Sequence, residues 1–229
     1  MDTDHNAPPL NPVPWIVWVF FLPIVGVELA VQLQSVGLMH AGGDMGLRQA
    51  MFQKLALIPE VLRREWETGG HPVEELYRVL SYPLVHAGFS DTLFAAVLFL
   101  ALGKKVGEAF SPLGFAVIVL ASTIAGALAY GFLVPELKSS LIGAYPTVYG
   151  LIGALTYLLY ADLDREGDNR LWAFRMIGFM LGAQLIYAAI FGTNWTWIAE
   201  LAGCVTGFGF SFAVSPVGFR QLRNWLRHR

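Results

Sequence analysis

The sequence predicts an all-α membrane protein that crosses the bilayer six times, and three observations support this prediction. Of its 229 residues, 55% are hydrophobic and only 14% are charged, whereas soluble domains carry roughly 25% charged residues. Six apolar blocks, most of them long enough to cross a bilayer, are separated by segments rich in Gly, Pro, Asn and charge. Helices satisfy their own backbone hydrogen bonds inside lipid, so each block is predicted to be a helix.

The composition also excludes several classes of function. A net charge of −2 offers no basic excess for binding nucleic acid. The single cysteine, Cys204, excludes an internal disulfide framework and a multi-cysteine zinc site. All histidines except His86 fall in the termini or the first loop, so the sequence predicts no metal and no cofactor. No small-molecule substrate is evident.

The first part of the chain contains a flexible lead, one span and a long loop. Residues 1–14 lack the basic n-region of a signal peptide and are predicted to be an unstructured lead. Residues 15–33 form the first span, and residues 34–78 form a long, charged first outer loop. Apolar residues recur in this loop at helical spacing: Leu47, Met51, Leu55, Ile58 and Leu62. This amphipathic helix either lies on the membrane surface or packs on the protein's own flank.

Five further apolar blocks complete a six-span domain over residues 15–214. They cover residues 91–102 with an upstream extension, 113–134, 141–160, 171–191 and 197–214. Lys and Arg concentrate in the short loops on one side, which predicts that both termini are cytoplasmic. Residues 215–229 form a basic amphipathic tail that is expected to lie on the anionic inner leaflet.

Three acidic residues interrupt the apolar blocks: Glu28, Asp91 and Glu200. An ionisable group inside a span costs roughly 2.5–3.5 kcal/mol on insertion scales, so each acid is a candidate functional residue. His86 precedes Asp91 by five residues, a spacing that does not place the two on one helical face.

The fourth block opens on the segment Gly143-Ala-Tyr-Pro-Thr-Val-Tyr-Gly150. Pro146 fixes φ in a first helical turn, which predicts a helix that begins within the membrane, where protein or trapped water must cover its open N–H groups. The alternative is a glycine-rich packing contact without chemistry. Small residues for close helix packing are Gly143, Gly150, Gly178, Gly182, Ala199, Gly203 and Gly207. Their spacing predicts that span six packs on span four, with self-dimerisation as the alternative.

At these segments the sequence resembles the rhomboid family of intramembrane serine proteases, over spans two to six. Three blocks carry the resemblance in the family's order: Tyr82-Pro-Leu-Val-His86-Ala-Gly-Phe-Ser-Asp91-Thr-Leu-Phe-Ala95, then Gly143-Ala144-Tyr145-Pro146-Thr147-Val148-Tyr149-Gly150, then Ala199-Glu200-Leu-Ala-Gly203-Cys-Val-Thr-Gly207. The resemblance implies a six-helix bundle with the active site at the start of span four.

The resemblance also assigns each catalytic role to a position, and all four residues are changed. The nucleophile falls at Tyr145, the base at Glu200, and the two oxyanion donors at Asp91 and Ala95. A phenol is bulkier than a serine hydroxyl, and a glutamate without a nucleophile completes no dyad. An ionised aspartate repels an oxyanion, and the loss of a single donor costs on the order of 10²–10³ in rate. The family resemblance therefore implies a pseudoprotease.

In the family fold, spans two, four and six face one another at this depth. The resemblance therefore implies a common water-accessible pocket, whose members are His86, Asp91, Tyr145, Tyr149 and Glu200. These side chains either form a hydrogen-bond network that plugs the site or bind a proton or a ligand. Thr147 is the nearest alternative hydroxyl, but it lies past the family's nucleophile position.

The favoured function is a non-catalytic membrane protein that binds transmembrane segments of partner proteins, as a scaffold, accessory subunit or assembly factor of a membrane complex. The opening that the family uses for substrate entry, between spans two and five, is the expected binding site. The alternatives are a divergent intramembrane protease and a proton-coupled membrane protein that uses Glu200 and Asp91. By analogy, a compact six-span chain fits a bacterial inner membrane.

Overall fold

The computed structural model describes residues 11–39, 46–68, 76–134, 139–180, 182 and 195–215, and these residues are mostly helical, as predicted. The helices are α1 Trp15–Ser35, α2 Leu47–Leu55, α3 Pro59–Thr68, α4 Arg78–Ser81, α5 Phe89–Ala109, α6 Pro112–Leu133, α7 Tyr145–Glu166 and α8 Thr196–Val214. Short 3₁₀ turns cover Tyr82–Leu84 and Arg170–Phe174, and residues 175–180 are helical. Of the predicted lead only residues 11–14 are described, and of the predicted basic tail only residue 215.

Three helices, α1, α6 and α8, are long and apolar enough to cross a membrane. A fourth span is obtained if residues 78–84 and α5 are taken together, as two segments bent by 104°. Helix α7 has 22 residues but is not among these spans; it contains several Tyr, Thr and Gly residues. Of the predicted fifth span, residues 171–191, only residues 171–180 and 182 are described. The count of six spans therefore stays a prediction.

The first loop differs from the prediction of one amphipathic helix, because it contains two helices with an extended break between them. Pro59 disfavours a helical conformation at the preceding residue and instead begins α3. In the break, Leu57 and Leu141 form an antiparallel bridge, with N–H···O distances of 3.1 and 2.9 Å. The loop is thereby attached to the segment that leads into α7.

Helix α3 packs on the protein's own flank, which is one of the two arrangements expected for the amphipathic segment. A Cβ atom on Gly131 of α6 would lie 2.5 Å from Leu62 Cδ2, so the two helices are in close contact. The Arg63 guanidinium donates to the carbonyls of Gly131 and Val134 at the C-terminal end of α6. Arginine thus satisfies carbonyls that the end of a helix leaves open.

Helices α7 and α8 approach each other until their backbones touch. A Cβ atom on Gly203 would lie 2.0 Å from the carbonyl oxygen of Pro146, and one on Gly207 would lie 2.0 Å from that of Gly150. Small residues four apart permit this contact. The geometry agrees with the predicted packing of span six on span four. Gly178 and Gly182 have no neighbour within 4 Å of a built Cβ atom in the described part of the chain.

Helix α7 is the central helix, since α5, α6 and α8 all contact it. Its side chains are buried along much of its length, among them Val148, Leu151, Ile152, Ala154 and Thr156. Ala199 belongs to the contact between α8 and α6, because its carbonyl oxygen lies 3.1 Å from a Cβ atom built on Gly126. The first turn of α7 is therefore surrounded by the elements that carry the predicted site residues.

Candidate functional site

The start of α7 is fixed by hydrogen bonds from the segment that joins α4 to α5. Gly143 has a φ of +90°, a conformation that glycine adopts at low cost. Its N–H donates to the carbonyl of Val85 at 2.8 Å, and the N–H of Ala144 donates to His86 Nε2 at 3.2 Å. Protein thus covers the entry to this helix, as the sequence requires of a helix that begins within the membrane.

The structure joins Tyr145 and Asp91 directly. The Tyr145 hydroxyl donates to Asp91 Oδ1 at 2.7 Å. The second carboxylate oxygen, Oδ2, accepts the N–H of Ala87 at 3.0 Å, just before α5 begins. A carboxylate in the first turn of a helix is favoured by the helix dipole and by such backbone donors. Asp91 therefore holds the segment just before α5 and the phenol at the same time.

Glu200 lies beside this pair and makes a side-chain hydrogen bond within its own helix. It is 6% exposed and bonds with Thr196, one turn earlier on α8. Its carboxyl is close enough to interact electrostatically with the phenols of Tyr145 and Tyr149. Among the predicted pocket residues, Tyr145 and Asp91 are thus bonded directly, and Glu200 is a neighbour of this pair.

The remaining predicted positions, Ala95, His86 and Thr147, are all buried. Ala95 is fully buried and apolar. His86 is 2% exposed; because its Nε2 accepts a hydrogen bond, the neutral ring carries its proton on Nδ1, which has no partner among the described residues. The Thr147 hydroxyl lies 2.7 Å from the Thr123 hydroxyl and is therefore held against α6. Within the described ranges, no group of three or more metal-ligating side chains is present.

A second polar cluster adjoins the site, and sequence reasoning identified only one of its members. Glu28 forms a two-pronged ion pair with Arg48, with distances of 2.7 Å from Nη2 to Oε1 and 3.1 Å from Nη1 to Oε2. The same carboxylate accepts from Gln32 at 2.6 Å and from Thr92 at 2.9 Å. Arg48 also donates to the carbonyl of His86 at 2.9 Å. The cluster therefore joins α1, α2 and α5 to the residue that holds the start of α7.

Only one signal pointed to this cluster, namely an acid inside an apolar span, which needs a partner. The spacing of Glu28 and Gln32 places both on one helical face. The cation comes from a different helix, however, 20 residues further along the chain. Helical periodicity carries no information about such a pairing, so it does not predict Arg48 as the partner of Glu28.

Replacement of Tyr145 by Phe tests the bond to Asp91. The change removes one donor, but Asp91 keeps the N–H of Ala87, so we expect a loss of about 1 kcal/mol in the free energy of unfolding. Unfolding in detergent would measure the loss. Tyr160→Phe is the matched control, because the Tyr160 hydroxyl only accepts from Arg170 at the exposed surface. Equal losses in the two variants would contradict the assigned bond.

A family model described as "Rhomboid domain" matches residues 73–217, which is more than half of the chain. The match begins after α3 and extends through α8, so it contains Asp91, Tyr145 and Glu200. It confirms the resemblance derived from the three sequence blocks. No curated protein matches the chain.

Proposed function

This chain belongs to the rhomboid family, and we propose that it is a non-catalytic member that binds transmembrane segments of partner membrane proteins. It acts as a scaffold, accessory subunit or assembly factor of a membrane complex. The observation that carries the proposal is the hydrogen bond between the Tyr145 hydroxyl and Asp91 Oδ1, at 2.7 Å. The side chain at the family's nucleophile position donates to the side chain at one oxyanion position.

Peptide hydrolysis by the family mechanism needs a free nucleophile, a base and donors to the oxyanion. In this chain the phenol donates to Asp91, and the Glu200 side chain bonds with Thr196. Ala95 supplies no donor, and a carboxylate at position 91 opposes the negative charge of the intermediate. These features support the absence of protease activity.

Binding of a transmembrane segment needs an accessible apolar surface beside the site. Helix α5 supplies one, because Leu93, Phe94 and Val97 are each more than half exposed. The Phe94 ring centroid lies 6.5 Å from that of Tyr145, so this surface continues to the start of α7.

We also propose that the site faces the outside and that both termini are cytoplasmic, in a bacterial inner membrane. Asp91 and Tyr145 begin their helices side by side, so α5 and α7 run in the same direction. Lys104 and Lys105 at the far end of α5 therefore lie on the same side as Arg170 and Arg175, which follow α7. The positive-inside rule assigns that side to the cytoplasm.

A cleavage assay tests the non-catalytic part of the proposal. The purified protein in lipid vesicles is expected to leave a fluorescent transmembrane reporter intact, while an active rhomboid protease cleaves it under the same conditions. A cut that disappears in Tyr145→Phe or Thr147→Val would identify a divergent protease. Proton movement across the vesicle membrane that is lost in Glu200→Gln would identify the proton-coupled alternative.

Co-purification from native membranes tests the binding part. In mild detergent, we expect the chain to be recovered with a stoichiometric membrane-protein companion, which crosslinks to photoreactive residues placed at Val97. Photoreactive residues at Leu113, which is exposed on α6, are the control position. Recovery only as a free monomer under several extraction conditions would contradict the proposal.

A further inference from the structure

We propose that the bound segment is a transmembrane helix with a lysine or arginine near the membrane boundary at which α5 begins, and that this cation pairs with Asp91. The inference rests on the proposed function and names the chemistry of the partner. It is carried by the position of one carboxylate at the border of an exposed apolar surface.

The surface consists of Leu93, Phe94 and Val97, with exposed fractions of 52%, 57% and 57%. We call these three residues the α5 face. Asp91 precedes Phe94 by three residues, so the two side chains are neighbours on the helix surface. Asp91 is partly exposed, whereas the opposite side of α5 is buried at Thr92 and Ala96. The carboxylate therefore lies where a helix packed on the α5 face can reach it.

Within the described part of the chain, Asp91 has no cationic partner of its own. Its two oxygens accept from neutral donors, the Tyr145 hydroxyl and the N–H of Ala87. Arg48, the cation of the adjacent cluster, is paired with Glu28. Among the residues that the structure describes, no Lys or Arg makes an ion pair with Asp91. An ionised carboxylate can accept about four hydrogen bonds, so capacity for a charged donor remains.

In lipid, the charge of Asp91 can select a partner helix, whereas the apolar α5 face cannot. Lipid tails are as apolar as leucine, so Leu93, Phe94 and Val97 alone do not favour a protein helix over lipid. A Lys or Arg inside a span is costly unless it pairs with an acid, and its apolar stem lets the charged end reach the boundary. A partner helix with such a residue therefore gains an ion pair with Asp91, which a purely apolar helix cannot form.

The depth of the α5 face favours a helix over a lipid headgroup. Val97 lies six residues beyond Asp91, which is about 9 Å further into the membrane at 1.5 Å per residue. A headgroup ammonium can reach Asp91 but cannot cover this length. A transmembrane helix contacts Phe94 and Val97 while its cation contacts Asp91.

The test uses the full-length chain in phosphatidylcholine nanodiscs and two synthetic leucine–alanine transmembrane helices. The helices differ at a single position near the outer end, where one has lysine and the other methionine. Binding is measured by energy transfer from a donor on the helix to an acceptor on the protein. We expect the lysine helix to bind about tenfold more tightly or better, because a hydrogen bond to a charged group is among the stronger ones.

Variants separate the two parts of the surface. Asp91→Asn keeps an acceptor for Tyr145 but removes the charge, and it is expected to bring the affinities of the two helices together. Phe94→Ala is expected to weaken the binding of both helices, while the lysine helix still binds more tightly than the methionine helix. Asp164→Asn is the matched control, since Asp164 pairs with Arg170 at the other end of α7. It is expected to change neither affinity.

Each other outcome overturns the inference in a recognisable way. Equal binding of both helices to the unmodified chain would refute the role of Asp91 but leave the proposed function intact. Loss of the lysine preference when phosphatidylethanolamine replaces phosphatidylcholine would assign the cation to a lipid headgroup. Binding of neither helix would refute the inference, and the absence of any companion in co-purification would then refute the proposed function as well.

Discussion

Gly203→Ala is expected to be strongly destabilising, because it adds a methyl group to the close contact between α7 and α8. The added Cβ atom would lie 2.0 Å from the carbonyl oxygen of Pro146 and 2.9 Å from its carbonyl carbon. Both atoms are backbone, so no side-chain rotation relieves the contact. Pro146 also belongs to the first turn of α7, whose start is fixed by the bond from Ala144 to His86.

The expected loss is about 3 kcal/mol, the upper end of the usual cost of overpacking, which for a chain of this size lowers Tm by about 6–12 °C. Cys204 provides the measurement, because it is the chain's single cysteine and is buried as a free thiol. A thiol-reactive dye reports its exposure as the protein unfolds in detergent on heating.

Gly209→Ala is the matched control on the same helix. A Cβ atom there has no neighbour within 4 Å in the described structure, and alanine is the better helix former. We expect an unchanged or slightly raised Tm. If the two alanine variants have the same Tm, the backbone contact between α7 and α8 does not stabilise this pair of helices.

Arg48→Met is the second substitution for which we expect a large loss of stability. It leaves the Glu28 carboxylate, 9% exposed, without its cation inside the bundle. Removal of one partner from a buried ion pair costs about 3–5 kcal/mol, and we expect about 3 kcal/mol, because the Arg48 side chain is itself 31% exposed. Dye-monitored unfolding measures this loss too.

Two comparisons show whether the loss comes from the orphaned charge. Adding Glu28→Gln to Arg48→Met removes the unpaired carboxylate and is expected to restore part of the stability. The second comparison is Lys104→Met, which breaks an ion pair between positions 104 and 108 whose N···O distance is 4.0 Å. A helical pair of this kind contributes about 0.3–0.5 kcal/mol. A double variant no more stable than Arg48→Met would contradict the interpretation.

Local sequence information was sufficient for four of the long helices and for the close contact between α7 and α8. The apolar blocks gave α1, α5, α6 and α8 because a helix in lipid needs a continuous run of apolar residues. The four-residue spacing of Gly203 and Gly207 indicated a face that permits close approach, and those glycines touch α7. The three sequence blocks were specific enough to identify the family before any geometry was known.

Local information failed where a proline interrupts the pattern. The apolar spacing from Leu47 to Leu62 predicts one helix, yet Pro59 begins a second one and Leu57 bonds with Leu141 instead. Apolar residues recur at helical spacing on both sides of the break, so this spacing does not reveal it. The backbone constraint at the residue before proline decided the outcome.

The sequence by itself determined the family and the residues of its motifs, because these motifs are short and follow one another in chain order. Only the tertiary structure decided what these residues do to one another. It joined Tyr145 to Asp91 and brought Arg48 from the first loop to Glu28. The physical reason is that periodicity specifies the face of a helix, whereas a hydrogen bond between helices depends on distances that only the packed bundle sets.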